Sequence, residues 1–155
     1  SPLRDEPMAA GYNGQLLYHE TGNDDGTTTP PSPIVSYCQS SDFDIGDGHN
    51  FGFVWRLLPD VTFRGSTATN PQVTMYLIPL QNSGSGYTTP ASVGGSDNGP
   101  VTRTAVVPVE QFTGQVNIRV RGRQMAFKIE SNQVGTTWQL GAPRIDIRAD
   151  GRRGG

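Results

Sequence analysis

Apolar and polar residues alternate with a period of two along much of this chain, the pattern of strands that bury one face. Leu16 to Thr21 and Ile34 to Ser40 read as strands on either side of the turn-rich "GNDDGTTTPPSP". Phe51, Phe53 and Trp55 alternate with Gly52, Val54 and Arg56, and "LLPDVTF" continues as a strand broken at Pro59, which has no amide hydrogen for a ladder. Val73 to Leu80 and Val101 to Val109 give two more, with the core-poor run 81–100 between them expected to be a long exposed loop. A segment around Trp138 and Leu140 follows. The closing "PRIDIRAD" places Ile145 and Ile147 inward and Arg144, Asp146 and Arg148 outward.

The most patterned stretch is "VNIRVRGRQMAFKI", residues 116–129. Two strands folded about Gly122-Arg123 in a II′ turn would set Val120 against Met125, Ile118 against Phe127 and Val116 against Ile129. One face would then be apolar, and the other would carry Arg119, Arg121 and Lys128. A bulge at Gly122 within one long strand is the competing reading, since it also restores side-chain parity. Cross-strand matching favours the hairpin.

Eight or more short strands, with no sustained helical period, predict an all-β antiparallel fold, a β-sandwich or jelly roll with long surface loops. The 20 Gly and 12 Pro among 155 residues point the same way, toward strands and turns. The expected organisation is an N-terminal extension with one strand over 1–33, a sandwich over 34–150 and a basic tail over 151–155. Apolar runs are only a few residues long, which predicts no membrane anchor. The start at Ser1, without Met, suggests a processed chain or a fragment of a longer one. The lone Cys38, in the apolar run "IVSYC", is expected to be a small buried side chain.

Charge is unevenly spread. Residues 1–50 hold eight acids and one Arg, whereas 51–155 hold six acids and eleven bases, of which only Lys128 is not Arg. Arginine suits planar, bidentate contacts to carboxylate or phosphate. Arg119, Arg121, Arg123, Arg148, Arg152 and Arg153 are therefore the candidate interface on the basic side, and Asp42, Asp44 and Asp47 on the acidic side. Acidic protein surfaces are the favoured partner of these arginines over DNA, because aromatic residues for base stacking are missing from the stretch.

The chemistry-bearing motifs point elsewhere than catalysis. The spacing of Asp42, Asp44 and Asp47 fails the calcium-loop rule, which would need Gly and Glu where Asp47 and Phe53 stand; turns capped by Asp explain these residues and Asp24-Asp25-Gly26 better. His19 and Glu20 are neighbours on a strand and face opposite ways. Glu110 and Glu130 could pair only if the fold placed them around a cleft. Neither a cofactor nor a catalytic residue is assigned. Trp55, Tyr76, Tyr87 and Trp138 could make a sugar platform, although both Trp residues lie in strand-like surroundings that suit core packing.

"GYNGQLLYHETGNDDG", "SSDFDIGDG", "LPDVTFRGST" and "VRGRQMAFKIESNQVGTTWQLGAPRIDIRADGRR" resemble the C-terminal part of the hub or nozzle proteins of short-tailed bacteriophages, the packaged-DNA stabilisation proteins. The likeness spans residues 12–153. Its closing pattern carries Arg121, Arg123, Trp138, Leu140, Gly141, Arg144, Asp146, Gly151 and Arg152 in the order associated with such proteins. The resemblance implies a virion structural protein, made in the host cytoplasm, that forms a ring around the tail axis. Its partners would be further copies and other tail proteins, with DNA in the tail channel as a partner read without sequence specificity. It also implies a propeller-like region ahead of the β-rich domain, of which "GQLLYHE" would be the last strand. The alternative function is a carbohydrate- or receptor-binding sandwich of a viral fibre, using the 81–100 loop and Tyr87.

Overall fold

Burial of one face of each strand requires a second layer, and the chain supplies it by folding two antiparallel sheets against each other. The computed structural model describes residues 7–19, 21–45, 50–80 and 104–150. Asp47, Tyr87, the 81–100 loop, Arg152 and Arg153 lie outside the described residues. Described residues form strands and no helix. The first six are short: β1 (Met8–Ala10), β2 (Leu16–Tyr18), β3 (Asp24–Asp25), β4 (Ser32–Pro33), β5 (Ser36–Gln39) and β6 (Phe43–Asp44). Then come β7 (Gly52–Leu58), β8 (Val61–Thr62), β9 (Gln72–Leu80) and β10 (Ala105–Glu110). The last four are β11 (Val116–Gly122), β12 (Gln124–Ser131), β13 (Gln139–Leu140) and β14 (Arg144–Ala149).

One sheet has five strands in the order β10-β9-β12-β5, with β6 also pairing β12; the other has three, β11-β7-β14. Both are antiparallel. Between them lies the core, built from Val54 and Leu57 of β7, Ile118 and Val120 of β11, Val73, Met75 and Leu77 of β9, Val107 and Val109 of β10, and Met125 and Ile129 of β12. The N-terminal region contributes two small ladders, β1-β2 and β3-β4, where the sequence suggested a single strand. Prolines fall where the ladder tolerates them. Pro59 follows the end of β7, Pro108 sits in the edge strand β10, and Pro79 lies beyond Leu77, the last β9 residue that pairs with β10 among the described residues.

The expected hairpin about Gly122-Arg123 does not form. Val120 pairs with Val54 of β7, whereas Met125 pairs with Pro79 and Ile129 with Met75, both of β9. The chain therefore crosses from the three-stranded sheet to the five-stranded one at residue 123, a sandwich corner made by one strand run that switches sheets. Other segments satisfy the backbone at this corner. Arg123 donates its amide to Leu80 O at 3.0 Å, and its own carbonyl accepts the Ile45 amide at 2.7 Å. Both halves send apolar residues into one core from opposite sides, so crossing and hairpin demand the same residue pattern.

Space at the corner favours glycine. A Cβ on Gly122 would stand 3.0 Å from Gln124 O and 3.1 Å from Leu80 O. Nearby, Gly52 makes room for Ile45, whose Cγ2 fills the space that a Gly52 Cβ would need. Trp138 packs against the core as expected and donates Nε1–H to Ser36 Oγ at 3.0 Å. Cys38, by contrast, is exposed. It shares the core-facing side with Ile129, but β5 is the edge of the wider sheet, and the apolar run around it includes exposed Ile34 and Val35.

The corner makes a stability prediction. Gly122→Ala should lower unfolding free energy by about 1–3 kcal/mol in denaturant titration, through overpacking against backbone. Gly114→Ala, with open space around its Cβ position, should stay within about 0.5 kcal/mol of the parent.

Candidate interaction surface on the three-stranded sheet

A bulge in β7 creates the most distinctive surface of the molecule. β14 pairs Asp146 with Arg56 and the next residue, Ile147, with Val54, so Trp55 is the extra residue between two ladder positions. A bulge of this kind breaks alternation and re-aims side chains. Val54 and Leu57 both stay in the core, and Trp55 and Arg56 both turn away from it. Trp55 is 41% exposed. The expectation that it packs in the core is thus corrected: Gly52 and Val54, not the aromatic residues of the alternation, face inward.

Register builds the rest of the outer face. One row is Asn117, Arg56 and Asp146; the next is Arg121, Phe53 and Arg148. Guanidinium groups lie over aromatic rings throughout: Arg148 is 4.7 Å from the centroid of Phe53, Arg56 is 4.6 Å from Trp55, and Arg121 and Arg123 share Phe51 at 4.5 and 5.1 Å. Two carboxylates answer two of these charges, Asp146 pairing with Arg56 and Asp150 with Arg121. Arg119 is exposed and, among the described residues, makes no ion pair. Positive charge is left in excess. An open groove of about 840 Å³ runs over this face, lined by Phe53, Trp55, Asn117, Ile118, Arg119 and Arg148.

The structure thus brings together Arg119, Arg121 and Arg148 and sets Arg123 at the adjoining corner. Lys128, expected beside them, is on the other sheet. There it pairs with Glu130 and lies 5.1 Å from the ring of Tyr37 and 5.4 Å from that of Tyr76. Sheet crossing is the reason: a hairpin would have shared one outer face between β11 and β12. Of the acidic candidates, Asp44 lies in β6 at the rim of the five-stranded sheet, where it accepts Gln124 Nε2–H at 2.8 Å, and Asp42 is exposed just before it. Of the described candidates, Asp44 belongs to the five-stranded sheet and Arg119, Arg121 and Arg148 to the three-stranded one.

Asp25 behaves as a turn cap, its Oδ1 accepting the Thr27 hydroxyl at 2.6 Å and the Thr27 amide at 2.9 Å. Those two bonds, the hydroxyl's first, hold its carboxyl below the usual carboxylate range. The proposed sugar platform is divided: Trp55 is on the outer face of the three-stranded sheet, Tyr76 belongs to the five-stranded sheet and Trp138 packs against the core. Half-buried Phe53, exposed Trp55 and Phe51, buried beneath Arg121 and Arg123, are the aromatic residues that sequence reasoning did not place with these arginines. The available signal was that Val54 and Leu57 are both core-type residues three apart in a strand, which only a bulge reconciles.

Comparison with known proteins gives no matching family model and no matching curated protein.

The two tryptophans can be told apart by fluorescence. The Trp138→Phe variant, which keeps Trp55, should emit at longer wavelength and be quenched readily by acrylamide. Trp55→Phe should be shielded. Equal quenching of the two would contradict the bulge.

Proposed function

We propose that this chain is a non-enzymatic structural subunit of a virion, a ring-forming component of a phage tail hub or nozzle that works through protein–protein contacts. One observation carries the reading. An outward arginine–aromatic face holds more guanidinium than carboxylate, while Asp44 stands in β6 of the other sheet and exposed Asp42 just ahead of it. A surface and its complement on different sides of one subunit suit heterologous, head-to-tail packing that closes into a ring. The sequence resemblance to tail hub proteins supplies the biological setting.

The energetics match such a role. Exposed charge is screened beyond about 8 Å at physiological salt, so these arginines act at contact range. Across an interface, charge complementarity fixes register and excludes wrong partners more than it adds affinity. Arginines already laid against Phe51, Phe53 and Trp55 are partly ordered before contact, which lowers the entropy lost when they meet a carboxylate.

Reversal and rescue test the reading. Arg119→Glu and Asp44→Lys should each abolish higher-order species in native mass spectrometry at physiological salt, with circular dichroism unchanged. Combining them in one chain should restore assembly, because each reversed site would meet its reversed complement in the neighbour. Assembly indifferent to both single changes, or a monomer under every condition, would overturn it. A shift of Arg119→Glu only in DNA binding would move the function of this face to nucleic acid.

A further inference from the structure

We propose that β14 pairs edge to edge with β14 of a second copy of this chain, antiparallel, with Ile147 opposite its own copy. Among the described residues β14 has a partner on one side only, β7. Its outer edge therefore presents a row of backbone donors and acceptors of the kind that recruits another strand. Lys and Pro, the usual guards of such an edge, are absent from the six residues of β14, and the extra residues at the register shifts of this sheet lie in β7 and β11.

The sequence of the strand selects both the occupant and the register. Arg144-Ile145-Asp146-Ile147-Arg148-Ala149-Asp150 is a charge palindrome of opposite sign about Ile147. In the proposed register Arg144 meets Asp150, Asp146 meets Arg148 and Ile145 meets Ala149, each twice by symmetry. Directly opposed residues of unlike charge stabilise a ladder, and like charges oppose it. Moving the register by two residues sets Arg144 against Arg148 with Asp146 against itself, or Asp146 against Asp150 with Arg148 against itself. Moving it by one turns the isoleucine side against the charged side. Asp146 and Asp150 already pair with Arg56 and Arg121, but a carboxylate accepts more than one donor.

The apolar side of the strand supports the same contact. Ile147 is 42% exposed. Two residues back along the strand, Ile145 lines a cleft of about 290 Å³ between the sheets, with Phe43, Phe127 and Pro143 among others. A second β14 would cover Ile147 and shield the mouth of that cleft. The product is an isologous two-fold contact that joins the two three-stranded sheets into one. It is separate from the head-to-tail contact through Arg119 and does not rest on it.

Cysteine cross-linking of the full chain tests this inference on a Cys38→Ser background. Directly opposed residues in an antiparallel pair have Cα atoms about 4.5–5.5 Å apart, within disulfide range. Ile147→Cys should therefore form a covalent dimer under oxidised glutathione. Ile145→Cys should not, because the two copies of residue 145 would be offset by four residues, roughly 13 Å along the strands. We expect the rate at 147 to exceed that at 145 on the order of tenfold or more, and adding Arg148→Asp to slow it. Arg119→Glu should leave it unchanged. Comparable rates at the two positions, or no cross-link at 147 with the parent sedimenting as a monomer at the same concentration, would overturn the proposal.

Discussion

The structure depends on apolar side chains of β11 and β12 meeting in one core from opposite sheets. Ile118 and Val120 enter from the three-stranded sheet, Met125 and Ile129 from the five-stranded one, and all four are buried. A single strand run that changes sheets at residue 123 joins the layers covalently at their corner. Every later property follows from that crossing. It decides which polar residues share an outer face, and it leaves β14 of one sheet and β12 of the other bordering the cleft where the sandwich opens, at Ile145 and at Met125 and Phe127.

The β7 bulge is the second constraint, and it turns a sandwich wall into a chemically distinct surface. Regular alternation would send either Val54 or Leu57 outward. Inserting one residue keeps both in the core, where each apolar side chain is worth about 1.5–3 kcal/mol of burial, and forces Trp55 and Arg56 out together. The exposed indole, the rings of Phe51 and Phe53 and the guanidinium groups over them then form a pre-ordered layer. Asp146 and Asp150 tether two of the arginines without neutralising the whole face. These half-exposed ion pairs contribute little to stability; they hold Arg56 and Arg121 in place.

Much of the fold was legible in the sequence because burial on one face writes itself as alternation. The all-β antiparallel class, β9, β14, the break at Pro59 and the core role of Trp138 all follow from that pattern. Strand pairing did not, since Val120 opposite Val54 and Val120 opposite Met125 require the same residue types. Cys38 is exposed despite its apolar run, because such a run is buried only if the opposing layer extends over it, and layer width is not encoded locally. The basic group was recognised from its composition, but its aromatic half came from a bulge that moved Trp55 from the expected core to the surface. Lys128 would join that group only in a hairpin, and the crossing puts it on the five-stranded sheet.

The crossing at Gly122 can be tested by backbone nuclear Overhauser effects in isotopically labelled protein, which report strand neighbours without any substitution. The account predicts cross-strand contacts from Val120 to Val54 and from Ile129 to Met75. A direct Val120-to-Met125 strand contact in their place would restore the hairpin, return Lys128 to the side of Arg119 and Arg121, and dissolve the arginine–aromatic face described above.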